Sequence, residues 1–418
     1  MKSTLDSNGH EIRAKASNTL QDAALNQENG AAYHSSPTRS PSRRLILTQT
    51  RSSISADPER PQPSKPPSPP PPEANAPPPS QEVTHLRLAA HYAGLVLASM
   101  LGCIARLGLN ALGTYDGMII FPLAWSQGVG SGIMGLALSK KNDIVAIYPP
   151  IYTFLTTGIA GSITTFSSWM LEGYLSFSNF EQYGRKGLHD TMDGVAYSLL
   201  TFGVAMSSLI FGQHLGSLLP SVSQRLSRTL PATEEKPTPS SPASSSLRFR
   251  ASQTPILDII TISTALIAYL IALLLYFLAP KAWRHDAVFA LLLSPPGAIL
   301  RFALSTVNTR RPFIDRFPLG TFTSNMAATL IVAGTFVAQR RPGSSTSATK
   351  CNALYAVQQG FCGCLSTVST FVVEARTVKG WKSKWFYIGG SVVLGHAFVL
   401  AVVGGTKWTQ GFVDVCIV

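Results

Sequence analysis

Residues 158–172 read GIAGSITTFSSWMLE, and residues 360–374 read GFCGCLSTVSTFVVE. The two stretches keep glycine, hydroxyl and aromatic residues in the same order, 202 residues apart. Two shorter matches precede them. Gly102-Cys-Ile-Ala-Arg106-Leu-Gly returns as Gly297-Ala-Ile-Leu-Arg301-Phe-Ala, and Phe121-Pro122-Leu123 as Phe317-Pro318-Leu319, at offsets of 195 and 196. Three ordered matches at a nearly constant offset mark an internal duplication.

The copies lie among apolar segments. The chain of 418 residues is 45% hydrophobic and 13% charged, about half the charged fraction of an ordinary soluble domain. Its mean hydropathy is +0.18, although the first 84 residues are polar. A single soluble globule is excluded, and an integral membrane protein with a polar tail is implied. Nine segments can each supply the roughly 20 apolar residues that a crossing helix needs: 88–113, 117–138, 147–175, 192–219, 255–280, 285–307, 317–338, 352–374 and 384–405. The expected fold is all-α: a four-helix repeat over 86–220, a polar linker over 221–254, one linking transmembrane helix over 255–280, a second repeat over 281–406 and a tail over 407–418. Four crossings return a chain to its starting side, so the extra helix inverts the second copy. Inverted repeats recur in membrane transport proteins.

Residues 1–85 are Ser/Pro-rich, with twelve prolines between Pro58 and Pro79. The stretch cannot bury a core and is expected to be disordered. Ser36-Pro37, Ser40-Pro41 and Ser68-Pro69 are candidate phosphorylation sites. The net charge of +13 comes from cations between the apolar runs, which suits membrane flanks rather than nucleic acid. With the N-terminus in the cytosol, fourteen Lys and Arg fall in inner loops and eight outside. That bias favours a cytoplasmic N-terminus. The first residues hold no apolar core of a signal peptide. Cys103, Cys351, Cys362, Cys364 and Cys416 show neither metal-type nor disulfide spacing and read as packing residues.

Arg106 and Arg301 occupy matching places inside apolar helices, where a charge costs at least about 2.5 kcal/mol unless paired or wet. Each attracts anions at a pore mouth, anchors to backbone carbonyls, or snorkels to a helix end. The repeated Gly/Thr/Ser runs either break their helices, freeing carbonyls that a cation would satisfy, or stay helical with hydroxyls bonding to i−4 carbonyls. Thr321, Asn325 and Thr329 share one helix face, with Ser324 beside them. Tyr387 and Ser391 share another, as do Tyr197 and Thr201. Such stripes line water or glue helices. Glu172 and Glu374 match across the copies but fall near helix ends, where they read as solvated carboxylates. Metalloprotease, nucleophile-elbow and phosphate-loop motifs are absent, so no enzyme class is indicated.

Over residues 88–405 the sequence resembles the fluoride channel/exporter family (Fluc in bacteria, FEX in eukaryotes). The resemblance rests on two motifs. Gly161–Trp169 and Gly363–Phe371 are similar to its GGxTTFSTF-like signature, and Pro318–Asn325 to its PxGTxxxN-like signature. It implies passive, selective fluoride export at the plasma membrane by a single chain equivalent to two fused, antiparallel subunits. It also implies a structural sodium ion held by the backbone carbonyls of Gly161, Thr164, Gly363 and Ser366. Phe166 and Phe371 would face a pore, with Asn325 as its asparagine and Thr321, Ser324, Tyr387, Ser391, Tyr197 and Thr201 as its polar lining. The resemblance implies two pores at the interface of the copies, but Gln127 stands where the first copy would carry an asparagine, so one intact pore combining Asn325 with Phe166 and Phe371 is expected, with the Gln127 side narrowed or dead. Two alternatives remain: a different inverted-repeat transporter for small ions or drugs, or a membrane scaffold whose Pro-rich tail binds SH3 or WW partners.

Overall fold

The computed structural model describes residues 85–184, 187–220, 255–280, 287–309, 316–342 and 347–413. The Ser/Pro-rich tail, its Ser-Pro sites, the 221–254 linker and the last residues of the chain lie outside them. Among the described residues all regular structure is helical. Helix α1 spans His85–Gly113 and α2 Pro122–Ser139. Residues 149–163 form α3, and α4 is Phe166–Phe177. Then come α5 (Leu188–Leu218), α6 (Pro255–Leu278), α7 (Phe289–Ser305) and α8 (Leu319–Arg340). Residues 348–365 form α9, Ser369–Thr377 forms α10, and 381–409 forms α11.

Among the described residues seven helices are long and apolar enough to cross a membrane, as befits a multi-pass membrane protein. Two of the nine anticipated segments differ. Segment 117–138 is helical only from Pro122, which occupies the first turn where its missing N–H is harmless. Its buried Ser126, Gln127 and Ser131 leave it less apolar than its neighbours. Segment 147–175 is interrupted at Tyr148 and again between Ile163 and Phe166.

Small residues set the packing. A Cβ on Gly135 would stand 2.9 Å from the Gln213 amide nitrogen, and one on Gly212 would stand 3.0 Å from that of Leu136. Only glycine lets α2 and α5 approach backbone to backbone. Helix α7 continues through Pro295 and Pro296, which cannot donate to the carbonyls of Leu291 and Leu292. Ser294 Oγ donates to the first at 2.8 Å, and Tyr269 Oη of α6 donates to the second at 3.4 Å. The linking helix α6 is thus docked as well as spanning. At its other end Asp258 pairs with Arg87 of α1 at 3.0 Å and accepts from Tyr148 Oη at 2.7 Å. Most of its remaining apolar side chains are exposed, as a lipid-facing helix requires.

The cysteine reading needs correction. Cys103, Cys362 and Cys364 are free and buried, but Cys351 is disulfide-bonded. Disulfide connectivity between distant cysteines leaves no spacing signature.

Candidate functional site

The repeated motif breaks its helix in both copies. Each break follows a wide π-type turn, Phe154–Ala160 in one copy and Val357–Cys362 in the other. At Thr164 the backbone becomes extended (φ −87°, ψ 146°), and at Ser366 likewise (φ −88°, ψ 156°). The N–H groups just beyond are diverted to side chains. Thr165 donates to Gln127 Oε1 (3.4 Å) and Ser167 to Ser366 Oγ (3.1 Å). Thr367 donates to Asn325 Oδ1 (2.8 Å) and Ser369 to Thr164 Oγ1 (3.1 Å). In unbroken helices these four would serve the carbonyls of Gly161, Ile163, Gly363 and Leu365. Both open readings of the motif therefore hold in part. The helices break, and the hydroxyls of Thr164 and Ser366 also bond back to Ala160 and Cys362 at 3.0 and 3.1 Å.

The two breaks cross, and each supplies the cap of the other. Thr164 Oγ1 accepts from Val368 and Ser369 at the start of α10, while Ser366 Oγ accepts from Ser167 in the first turn of α4. Hydroxyls close the knot: Thr164 meets Thr367 at 3.1 Å, and Thr165 meets Ser366 at 3.0 Å.

The paired arginines are tied to the same place. Buried Arg301 donates to the carbonyls of Gly161 and Thr157 in the other copy, and Arg106 to that of Gln359. Neither side chain snorkels; both anchor to backbone carbonyls. A Cβ on Gly161 would sit 2.6 Å from Arg301 Cζ, and one on Gly363 would overlap the Arg106 guanidinium. Hence both positions demand glycine. Among the described residues no group of three or more His, Cys, Asp or Glu side chains could hold a metal. The freed backbone carbonyls are oxygen donors, of the kind that suits a hard cation. The Gly161 oxygen, already accepting from Arg301, keeps a second lone pair. The residues fit sodium.

The two amides occupy equivalent positions. Asn325 grips the Thr367 residue from both sides, its Nδ2 donating to the carbonyl at 3.2 Å while its Oδ1 accepts as above. Gln127 grips Thr165 in the same way, with Nε2 donating at 2.7 Å. One turn before Asn325 stands Thr321, whereas one turn before Gln127 stands apolar Leu123. Phe166 and Phe371 are fully buried and meet edge to face, ring centres 5.4 Å apart. Trp169, Phe202 and Tyr387 complete that cluster.

Glu172 and Glu374, read from sequence as solvated, are partly buried and hydrogen-bonded. Glu374 accepts from Thr321 Oγ1 (2.7 Å), Tyr387 Oη (2.6 Å) and Asn308 Nδ2 (2.9 Å). Glu172 accepts from Tyr197 Oη, whose ring stacks on Phe121. The matched glutamates and the two tyrosines were each readable in the sequence, but their pairing was not, and Asn308 left no signal. Ser324, Ser391 and Thr201 bond to carbonyls of their own helices. Asn325, Thr321, Tyr387, Phe371 and Phe166 thus converge, while Tyr197 and Thr201 stay with Glu172 and Phe121.

Residues 93–213 and 288–405 match the family described as CrcB-like protein, Camphor Resistance (CrcB). Fluoride export protein 1 of Neurospora crassa is 30% identical over 376 residues, covering 77% of this chain and 67% of its own length. Fluoride export protein 1 of Schizosaccharomyces pombe is 31% identical over 326 residues, covering 76% and 96%. Fluoride-specific ion channel FluC 1 of Prochlorococcus marinus is 35% identical over 130 residues, 30% of this chain but 95% of its own length. No solved structure gives a significant match. A family match in both copies, with relatives along three quarters of its length, makes this chain a member of the CrcB family.

Proposed function

We propose that the protein is a passive, fluoride-selective channel that exports fluoride from the cytosol across the plasma membrane and so confers fluoride resistance. The reading is carried by the convergence of Asn325, Thr321, Tyr387, Phe166 and Phe371, in a chain whose relatives are named for fluoride export. Nine crossings arrange the two copies in opposite orientation, which lets each break serve the other. Fluoride is strongly hydrated, so a narrow dry path must replace its water with donors. The Asn325 amide, which keeps a second N–H, and the positive ring edges of Phe166 and Phe371 are suited to that. The Thr321, Ser324, Ser391 and Tyr387 hydroxyls line the path and must turn from Glu374 or from their own helix carbonyls to donate to the anion. The Gln127 side, with Leu123 and the stacked Phe121–Tyr197 pair, is less polar and conducts little. Thr201 belongs to that weaker side.

The carbonyls of Gly161, Thr164, Gly363 and Ser366 would hold a structural sodium, which would supply positive charge beside that of Arg106 and Arg301. A negative-inside potential favours anion exit by about 2.3 kcal/mol per 100 mV, so no pump is needed. The Cys351 disulfide supports a cytoplasmic N-terminus, because Cys351 lies in the first turn of α9, at the end that this orientation puts on the oxidising outer side. The deciding experiment is fluoride efflux from liposomes containing the purified chain, read by a fluoride electrode. Rapid loss that requires a potassium/valinomycin shunt, with chloride retained, is expected. No efflux from folded protein, or equal chloride loss, overturns the reading.

A further inference from the structure

A cavity of about 770 Å³ lies between α4, α5 and the C-terminal half of α11 and shares no lining residue with the crossed breaks. Val195, Leu199, Val393 and Leu400 wall it with exposed apolar side chains, so it opens sideways to lipid. Its floor is polar. Ser198 Oγ and His396 Nε2 are buried and have no hydrogen-bond partner. Both stand over Gly173, where a Cβ would meet them at 3.5 and 2.8 Å. His396 Nδ1 lies 3.0 Å from the Val392 carbonyl. A carbonyl can only accept, so Nδ1 carries the proton of the neutral ring and Nε2 is left as an acceptor. The ring packs edge to face on Phe177, centres 5.7 Å apart, which holds it in place. One hydroxyl group would satisfy the floor by donating to His396 and accepting from Ser198.

The other end of the cavity is cationic. Lys407 lines it beside Trp408, with its ammonium 4.9 Å from the centre of the Phe180 ring. The ion pairs among the described residues are Arg87–Asp258 and Lys140–Asp143, so Lys407 has no carboxylate. It follows His396 by eleven residues, about 16 Å along a helix axis. The wide π-type turn Leu400–Gly404 lies between them.

We propose that this cavity binds a fatty acid hydroxylated in mid-chain. The carboxylate sits on Lys407, the chain runs along Val195, Leu199 and Leu400, and the hydroxyl bridges Ser198 and His396. An unsubstituted chain would leave both floor atoms unpartnered, which costs free energy in an apolar site. A sterol or a fatty alcohol has a hydroxyl but no charge for Lys407.

Binding is measured apart from transport, on the full chain purified in detergent. The tritiated probes are ricinoleate, oleate (which lacks the hydroxyl) and methyl ricinoleate (which lacks the charge). One saturable site is expected, with ricinoleate bound about tenfold more tightly than either of the others. Ser198→Ala and His396→Phe should each erase the preference for ricinoleate over oleate. Oleate affinity should stay as in wild type, which shows that the variants are folded. Lys407→Gln should weaken both acids alike and leave methyl ricinoleate unchanged. Leu199→Trp, on the exposed wall, should block all three probes. Equal affinity of the wild type for ricinoleate and oleate, or a preference that survives Ser198→Ala and His396→Phe, overturns the proposal.

Discussion

Replacing Asn325 by alanine tests the polar path most directly. The substitution has two effects of separable size. It strips both partners from the buried Thr367 backbone, where Asn325 accepts at 2.8 Å and donates at 3.2 Å. Each orphaned group costs about 1–3 kcal/mol, so the fold weakens by roughly 2–6 kcal/mol. It also removes a neutral donor from an anion, an interaction of about 1.5–3 kcal/mol. At 1.36 kcal/mol per decade, that slows passage by about 10- to 150-fold. Gln127→Ala is the matched control, because it removes the corresponding grip on Thr165 and weakens the fold comparably. Its weaker 3.4 Å contact puts it toward the lower end. Efflux into fluoride-free buffer, normalised to chain recovered monodisperse after reconstitution, separates the two effects. Asn325→Ala is expected to lose nearly all efflux and Gln127→Ala to keep most of it. Equal loss per folded chain would refute the single polar path.

Gly363→Ala places a methyl group in the Arg106 guanidinium and should lower the melting temperature and abolish efflux, whereas Gly108→Ala, with nothing within 4 Å, should be silent in both assays. Asp258→Ala removes the carboxylate that pairs with Arg87 and accepts from Tyr148, and should lower the melting temperature. Deleting residues 1–84 should leave the efflux rate unchanged, and its loss would instead assign the work to the tail. Replacing sodium by N-methylglucamine on both sides should lower stability and efflux together, with recovery when sodium is restored.

The all-helical, multi-pass character was readable because lipid imposes a crude rule of about 20 apolar residues per crossing, but of the nine segments read, seven helices among the described residues meet that rule. The repeated motif was readable as a weak stretch of helix, but whether it breaks or stays helical with its hydroxyls bonded back was not. Nor was what the break does. Whether Thr164 bonds back along its own helix or caps a distant one depends on which segment crosses it, and a single copy of the motif carries no record of that. Arg106 and Arg301 were ambiguous for the same reason, because their partners are backbone carbonyls of whatever residues happen to lie opposite. Glu374 was misread because its position near a helix end suggested water. Its real neighbours, Thr321, Tyr387 and Asn308, come from three separate elements. The tight seam between α2 and α5 follows from glycines that looked, in sequence, like general packing residues.

Because Thr164 caps α10 and Ser366 caps α4, neither copy contains everything needed to start its own helix. After the duplication the two halves therefore stopped being free to diverge separately. A change at residue 164 is felt first in the second half, and one at 366 in the first. The halves expressed as separate polypeptides should each stay incomplete until they meet, and compensating substitutions should arise in the half that was not hit.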